Sequence, residues 1–142
     1  MDIKGGWILD EDFEVFRIPI RIINPETSLS IIKTCLFDTG FTGYLGLDKE
    51  TIEKLNLSKI GIGKGLTIKG LVDFDNYEAN IEIIDNEDNT LIKINNIDDS
   101  DVESENDRIP IQEFKIPIIG MKSIRQINWM ILSKRKALFI LK

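Results

Sequence analysis

The chain contains no histidine and a single cysteine, Cys35. Without histidine, Ser-His-Asp and Cys-His nucleophilic catalysis are excluded, as are the usual zinc-protease and catalytic zinc sites. One cysteine admits neither an intrachain disulfide nor a Cys-rich metal centre. No apolar run is long enough to cross a bilayer as a helix, so no membrane partner is expected. The opening residues, Met1-Asp2-Ile3-Lys4-Gly5-Gly6, lack a basic stretch followed by an apolar one, so a secretory signal is not expected and a cytoplasmic location is. Positive charge is outnumbered, with 18 Lys and Arg against 24 Asp and Glu. A net charge of −6 argues against nucleic acid and anionic membrane surfaces as partners, since both need basic patches. Acid–base chemistry is left to carboxylates, Lys and Tyr.

What is present is isoleucine, carboxylate and glycine. The 142 residues, 42% hydrophobic and 30% charged, read as one domain, 1–142, with a core of its own. Ile is β-branched and favours strands. Residues 14–23 and 29–37 read as strands around the turn Asn24-Pro25-Glu26-Thr27, with Pro19 marking an edge or irregular pairing. Residues 48–57 read as a helix capped by Asp48, with Ile52 and Leu55 on its apolar face. A glycine-punctuated hairpin follows. One arm is expected at 66–69 and the other at 76–84, where Tyr77, Ala79, Ile81 and Ile83 alternate with polar residues. Its tip is expected between Lys69 and Asp75. Further strands are expected at 90–97, 116–120, 129–132 and 137–141, and a brief helix at 121–127. Residues 98–107 are acidic and read as a solvated loop; their spacing is not that of a calcium loop. Cys35 reads as core packing. The fold class is therefore mainly β with one or two short helices.

Asp38-Thr39-Gly40 stands at the end of the apolar stretch Ile31-Ile32-Lys33-Thr34-Cys35-Leu36-Phe37 and opens a second turn, Phe41-Thr42-Gly43. Two readings stand side by side. Asp and Gly are ordinary turn formers at a strand end. A carboxylate at the end of a buried strand is also costly to build, and such placements concentrate at functional sites.

The spelling Leu36-Phe37-Asp38-Thr39-Gly40-Phe41-Thr42-Gly43-Tyr44-Leu45, with the helix after it and Pro117-Ile118-Ile119-Gly120-Met121 near the end, resembles the retropepsin-like (clan AA) aspartic proteases, in their small single-domain prokaryotic branch. The resemblance covers about 18–141. It implies a closed acid-protease β-barrel, a homodimer, a peptide or protein substrate, and no cofactor or metal. It implies that Asp38, Thr39 and Gly40 are the catalytic residues. Each subunit would bring one Asp38 to a shared water, and Thr39 would reach across the two-fold axis. Gly40 would let its N–H approach the carboxylate, and Ile118-Ile119-Gly120 would pack beneath the loop. The hairpin around Gly70, with Leu71 and Val72, would be a flap over substrate, and 137–141 a dimer strand. Asp73 and Asp75 lack a following Thr-Gly and do not read as a second catalytic half. The family often carries Asp after the closing Gly-x, where this chain has Lys122-Ser123. A non-catalytic dimeric peptide- or protein-binding module on the same fold is the alternative, because fold does not fix function.

Overall fold

A computed structural model describes residues 2–11, 14–67, 69–98 and 107–141. In chain order the elements are β1 (Ile3–Ile8), β2 (Arg17–Ile23), β3 (Ser30–Phe37), β4 (Leu45–Leu47), α1 (Lys49–Leu55), β5 (Lys59–Thr67), β6 (Gly70–Ile84), β7 (Thr90–Lys93), β8 (Ile109–Glu113), β9 (Ile118–Ile119), α2 (Met121–Ile124), β10 (Asn128–Leu132) and β11 (Ala137–Leu141). The chain is mainly β. One sheet runs β2-β3-β9-β4-β8-β6-β5, and β6 returns to pair with β2. Six strands thus close a ring, with β5 and β7 attached along the long β6. A second sheet runs β1-β11-β10.

Alternation builds the core. In β2 the residues Ile18, Ile20 and Ile22 are fully buried while their neighbours are not. In β8 the same holds for Ile109 and Ile111 and in β6 for Ala79, after which β6 is buried throughout from Ile81 to Ile84. Each such isoleucine contributes about 1.5–3 kcal/mol on leaving water. Leu138 and Ile140 of β11 join the same cluster, so the small sheet packs on the ring through one face. Cys35 is buried in this core, as expected, and burial pushes its thiol far above its ordinary range.

Several expectations need correction. The strand expected from residue 14 is β2 and begins at Arg17; Glu14 has a φ of 54° and Val15 forms only an isolated bridge to Asp10. Pro19 pairs with Thr34 of β3, and β6 joins β2 only from Ile20 onward. Proline therefore sits where the strand has one neighbour. Three strands, β1, β4 and β8, were not expected. The hairpin arms are much longer than 66–69 and 76–84, because β5 pairs with β6 from Lys59 to Thr67. The strand from residue 90 ends at Lys93, and α2 ends at Ile124. Strand β11 has no free side: β1 lies on one flank and β10 on the other. It therefore cannot be the dimer strand by edge pairing. The expected acidic loop lies, for residues 99–106, outside the described residues.

Candidate catalytic site

Asp38 follows the last residue of β3, and the turn it opens is locked by the two-residue strand β9. Leu36 and Phe37 run parallel to Ile118 and Ile119. On the other side, Leu45 and Gly46 run antiparallel to the same two residues. The chain thus leaves along β3, turns through 38–44 and returns along β4 with β9 held between the two. The Asp38 N–H donates to Ile119 O at 3.1 Å, the Met121 N–H to Phe41 O at 2.7 Å, and the Gly120 N–H to Tyr44 O at 3.0 Å. The Lys122 N–H reaches Gly43 O at 3.2 Å, and the buried Ser123 hydroxyl donates to Tyr44 O at 2.9 Å. Three carbonyls of the turn, those of Phe41, Gly43 and Tyr44, are thereby given partners from one segment.

That closeness demands glycine at 120. A Cβ there would lie 2.3 Å from Gly43 O and 2.8 Å from Phe41 O. Gly40 serves the carboxylate directly: its N–H donates to Asp38 Oδ1 at 2.8 Å, and a Cβ on it would stand 3.1 Å from that oxygen. Asp38 is half-buried, while Thr39 and Gly40 are exposed. The carboxylate is thus at the rim and not enclosed by its own chain. Among the described residues the Thr39 hydroxyl makes no hydrogen bond.

The hairpin reaches this turn through three aromatic rings. Phe41 of the turn stacks on Phe114, just past β8, with centroids 5.8 Å apart. Phe114 in turn meets Phe74 of β6 at 6.0 Å. Gly70, Leu71 and Val72 lie further out along β6, paired with Thr67, Leu66 and Gly65. They are strand residues, not a loop, so the hairpin reverses before Gly70, at its expected start and not further along. Gly70 takes a φ of 97°, a conformation that favours glycine. Leu71 is 74% exposed. On the turn-facing row of the hairpin, Gly61, Gly63 and Gly65 of β5 oppose Asn76, Phe74 and Val72 of β6, leaving one arm without side chains there. Asp75 pairs with Lys59 at 3.1 Å.

A second cluster was not foreseen from the sequence. Lys122 Nζ lies 2.7 Å from Asp98 Oδ2 and sits over the Tyr44 ring, 5.5 Å from its centroid. The Tyr44 hydroxyl lies 3.1 Å from the same Asp98 oxygen and accepts the Ile97 N–H at 2.9 Å. Burial pushes the Tyr44 hydroxyl up. At Asp98, burial acts upward but is outweighed by hydrogen bonds from Lys122 and Tyr44 and by the charges of Lys122 and Arg125, which hold the carboxyl below its ordinary range. The Lys122-Ser123 pair thus braces the back of the turn twice, through Asp98 and through Tyr44 O. No signal in the sequence pairs Lys122 with Asp98, which opens the acidic stretch and looks like part of it.

No family model matches the chain, and no curated protein matches it.

Proposed function

We propose that this chain is one half of a homodimeric aspartic endopeptidase, which hydrolyses peptide bonds with a water activated by two Asp38 carboxylates, one from each subunit. The observation that carries the reading is the interlocked turn. Asp38 is fixed through its backbone by Ile119 O and through its side chain by the Gly40 N–H, yet Thr39 and Gly40 face outward with nothing covering them. A rigidly held carboxylate at an open rim is half of a site. The closed six-strand ring and the long hairpin above it support the retropepsin-like reading of the fold.

In this account the two carboxylates meet across the two-fold axis and hold one proton between them, since two such charges cannot both persist at close range. The unprotonated oxygen takes a proton from water as the water attacks the scissile carbonyl carbon. The protonated one donates to the carbonyl oxygen, and the proton then passes to the leaving amine as the C–N bond breaks. The hairpin closes over an extended substrate. Gly70, Leu71 and Val72 supply its outer contacts.

The test is Asp38→Asn, which keeps the hydrogen bond from Gly40 and removes the base. Peptide hydrolysis is expected to fall by about 10³-fold or more while sedimentation still reports a dimer. Unchanged hydrolysis would sink the dyad. A correct dimer in which neither protein cleaves any of a broad peptide set would favour the binding module.

A further inference from the structure

Phe74, Asn76 and Gln112 share one face of the sheet; Ala79, Ile109 and Ile111, on the opposite phase of the same strands, are fully buried in the core. Asn76 of β6 stands directly across from Gln112 of β8. Beside them Phe74 and Phe114 bring their ring centroids to 6.0 Å. Gln112 reaches the catalytic turn: a Cβ on Gly43 would lie 3.2 Å from its Oε1. The Asn76 amide lies over Gly63 of β5, where a Cβ would collide with it. The pair therefore runs from the hairpin to the turn, alongside the aromatic chain. Both carboxamides are half-buried, and among the described residues neither makes a hydrogen bond. Their oxygens, Asn76 Oδ1 and Gln112 Oε1, are enclosed without a donor. Other amides of the chain are tied: Asn24, Asn96 and Gln126 each take part in three hydrogen bonds. Asn80 Oδ1 also lacks a donor, but its neighbour is Ile23 of β2, at the other end of β6.

An enclosed polar oxygen normally has a partner, and leaving it without one is costly. Two of them side by side, next to the turn, call for donors from outside the chain. The last torsions of Asn and Gln are broad, so each amide end turns readily to present its oxygen or its NH2 to a guest. We infer that Asn76 and Gln112 form a subsite that selects a neutral carboxamide, the side chain of an asparagine or glutamine in the substrate, at a position outside the two residues that flank the scissile bond. The guest pairs head to tail with one host amide, N–H to oxygen in both directions, and gives its second N–H to the other host oxygen. Phe74 and Phe114 wall the methylene part of the guest. A carboxylate brings no N–H and would face two carbonyl oxygens. A cation brings donors but finds its charge opposed, because Glu78, the next residue on that face of β6, is held by Arg108 at 2.7 Å. The inference rests on the proposed reading of the chain as a peptidase and adds a side-chain preference to it.

The experiment uses the full chain and a set of quenched fluorescent peptides with one common cleaved bond, in which each other position carries Gln, Glu, Lys or Met in turn. At one position Gln is expected to exceed Glu, Lys and Met, its apolar near-isostere, by about tenfold or more in kcat/KM. In the double variant Asn76→Leu with Gln112→Met, whose replacements keep the shape of the originals, the Gln to Met ratio is expected to fall to within about twofold of one. A merely structural role would lower every peptide together and keep the ratio. A parent protein that prefers Gln at no position, or a double variant that keeps the preference, overturns the subsite. A second readout needs no turnover. The side-chain NH2 signals of Asn76 and Gln112, assigned by their loss in the single variants, are expected to shift in NMR spectra on addition of the Gln peptide and to stay in place with the Met peptide. Signals that stay in place with every peptide overturn the subsite as well. Hydrolysis without any Gln preference removes this inference and leaves the peptidase standing. Signals that shift with the Gln peptide alone, in a protein that cleaves no peptide, do the reverse.

Discussion

At Gly120 a single added carbon would stand 2.3 Å from one carbonyl oxygen and 2.5 Å from the Phe41 ring. Backbone oxygen cannot swing aside as a side chain can, so Gly120→Ala must push β9 away from the turn. A loss of about 1–3 kcal/mol in urea unfolding is expected, with hydrolysis falling more than stability because the displaced segment carries the bond from Asp38 N–H to Ile119 O. A variant as stable and active as the parent would contradict this. Single residues were the most legible scale in the sequence. Asp38, Gly40 and Gly120 announced themselves because a tight turn restricts which residues fit it. Lys122 and Asp98 did not, since an ion pair between distant positions leaves no local pattern.

The elements were readable where their pattern was local. Helix α1 is capped by Asp48, whose carboxylate accepts the Thr51 N–H at 3.1 Å, and it buries Ile52 and Leu55; both features lie in the sequence. Strand β1 was hidden by Gly5-Gly6, which reads as coil. The structure uses Gly6 because the Phe139 ring lies where a Cβ would be, 2.5 Å away. Strand β8 was hidden by Pro110, which faces Glu78 of β6 at a position that β4 has not yet reached. Like Pro19, it occupies a place where the strand has one neighbour, which no local rule reveals. The hairpin's dependence on the aromatic chain gives a prediction at this scale. Phe114→Ala opens the link between Phe41 and Phe74 and is expected to cost about 2 kcal/mol of stability, below the full core value because Phe114 is half-buried. It should also speed amide exchange in residues 70–76 and lower kcat/KM, while Phe114→Leu keeps most of both. Unchanged exchange in the hairpin would show that the rings do not anchor it.

For the whole molecule, closing the ring through the pairing of β2 with β6 places the end of β3 and the start of β4 side by side, and β9 fills the gap. That arrangement was legible only in outline, because the pairing of β3 with β9 joins residues far apart in sequence. The single chain then ends its chemistry at one half-buried carboxylate. The central claim is that each active site draws on two chains, and mixing tests it directly. Parent protein and Asp38→Asn protein are combined in equal amounts, exchanged to equilibrium at constant total concentration, and assayed for peptide hydrolysis. If both Asp38 carboxylates are required, mixed dimers are dead and activity falls to about one quarter of the parent's, following the square of the parent fraction. Activity of about one half, linear in that fraction, would mean that each chain works alone, and about three quarters that one Asp38 suffices in a shared site; either would contradict the account.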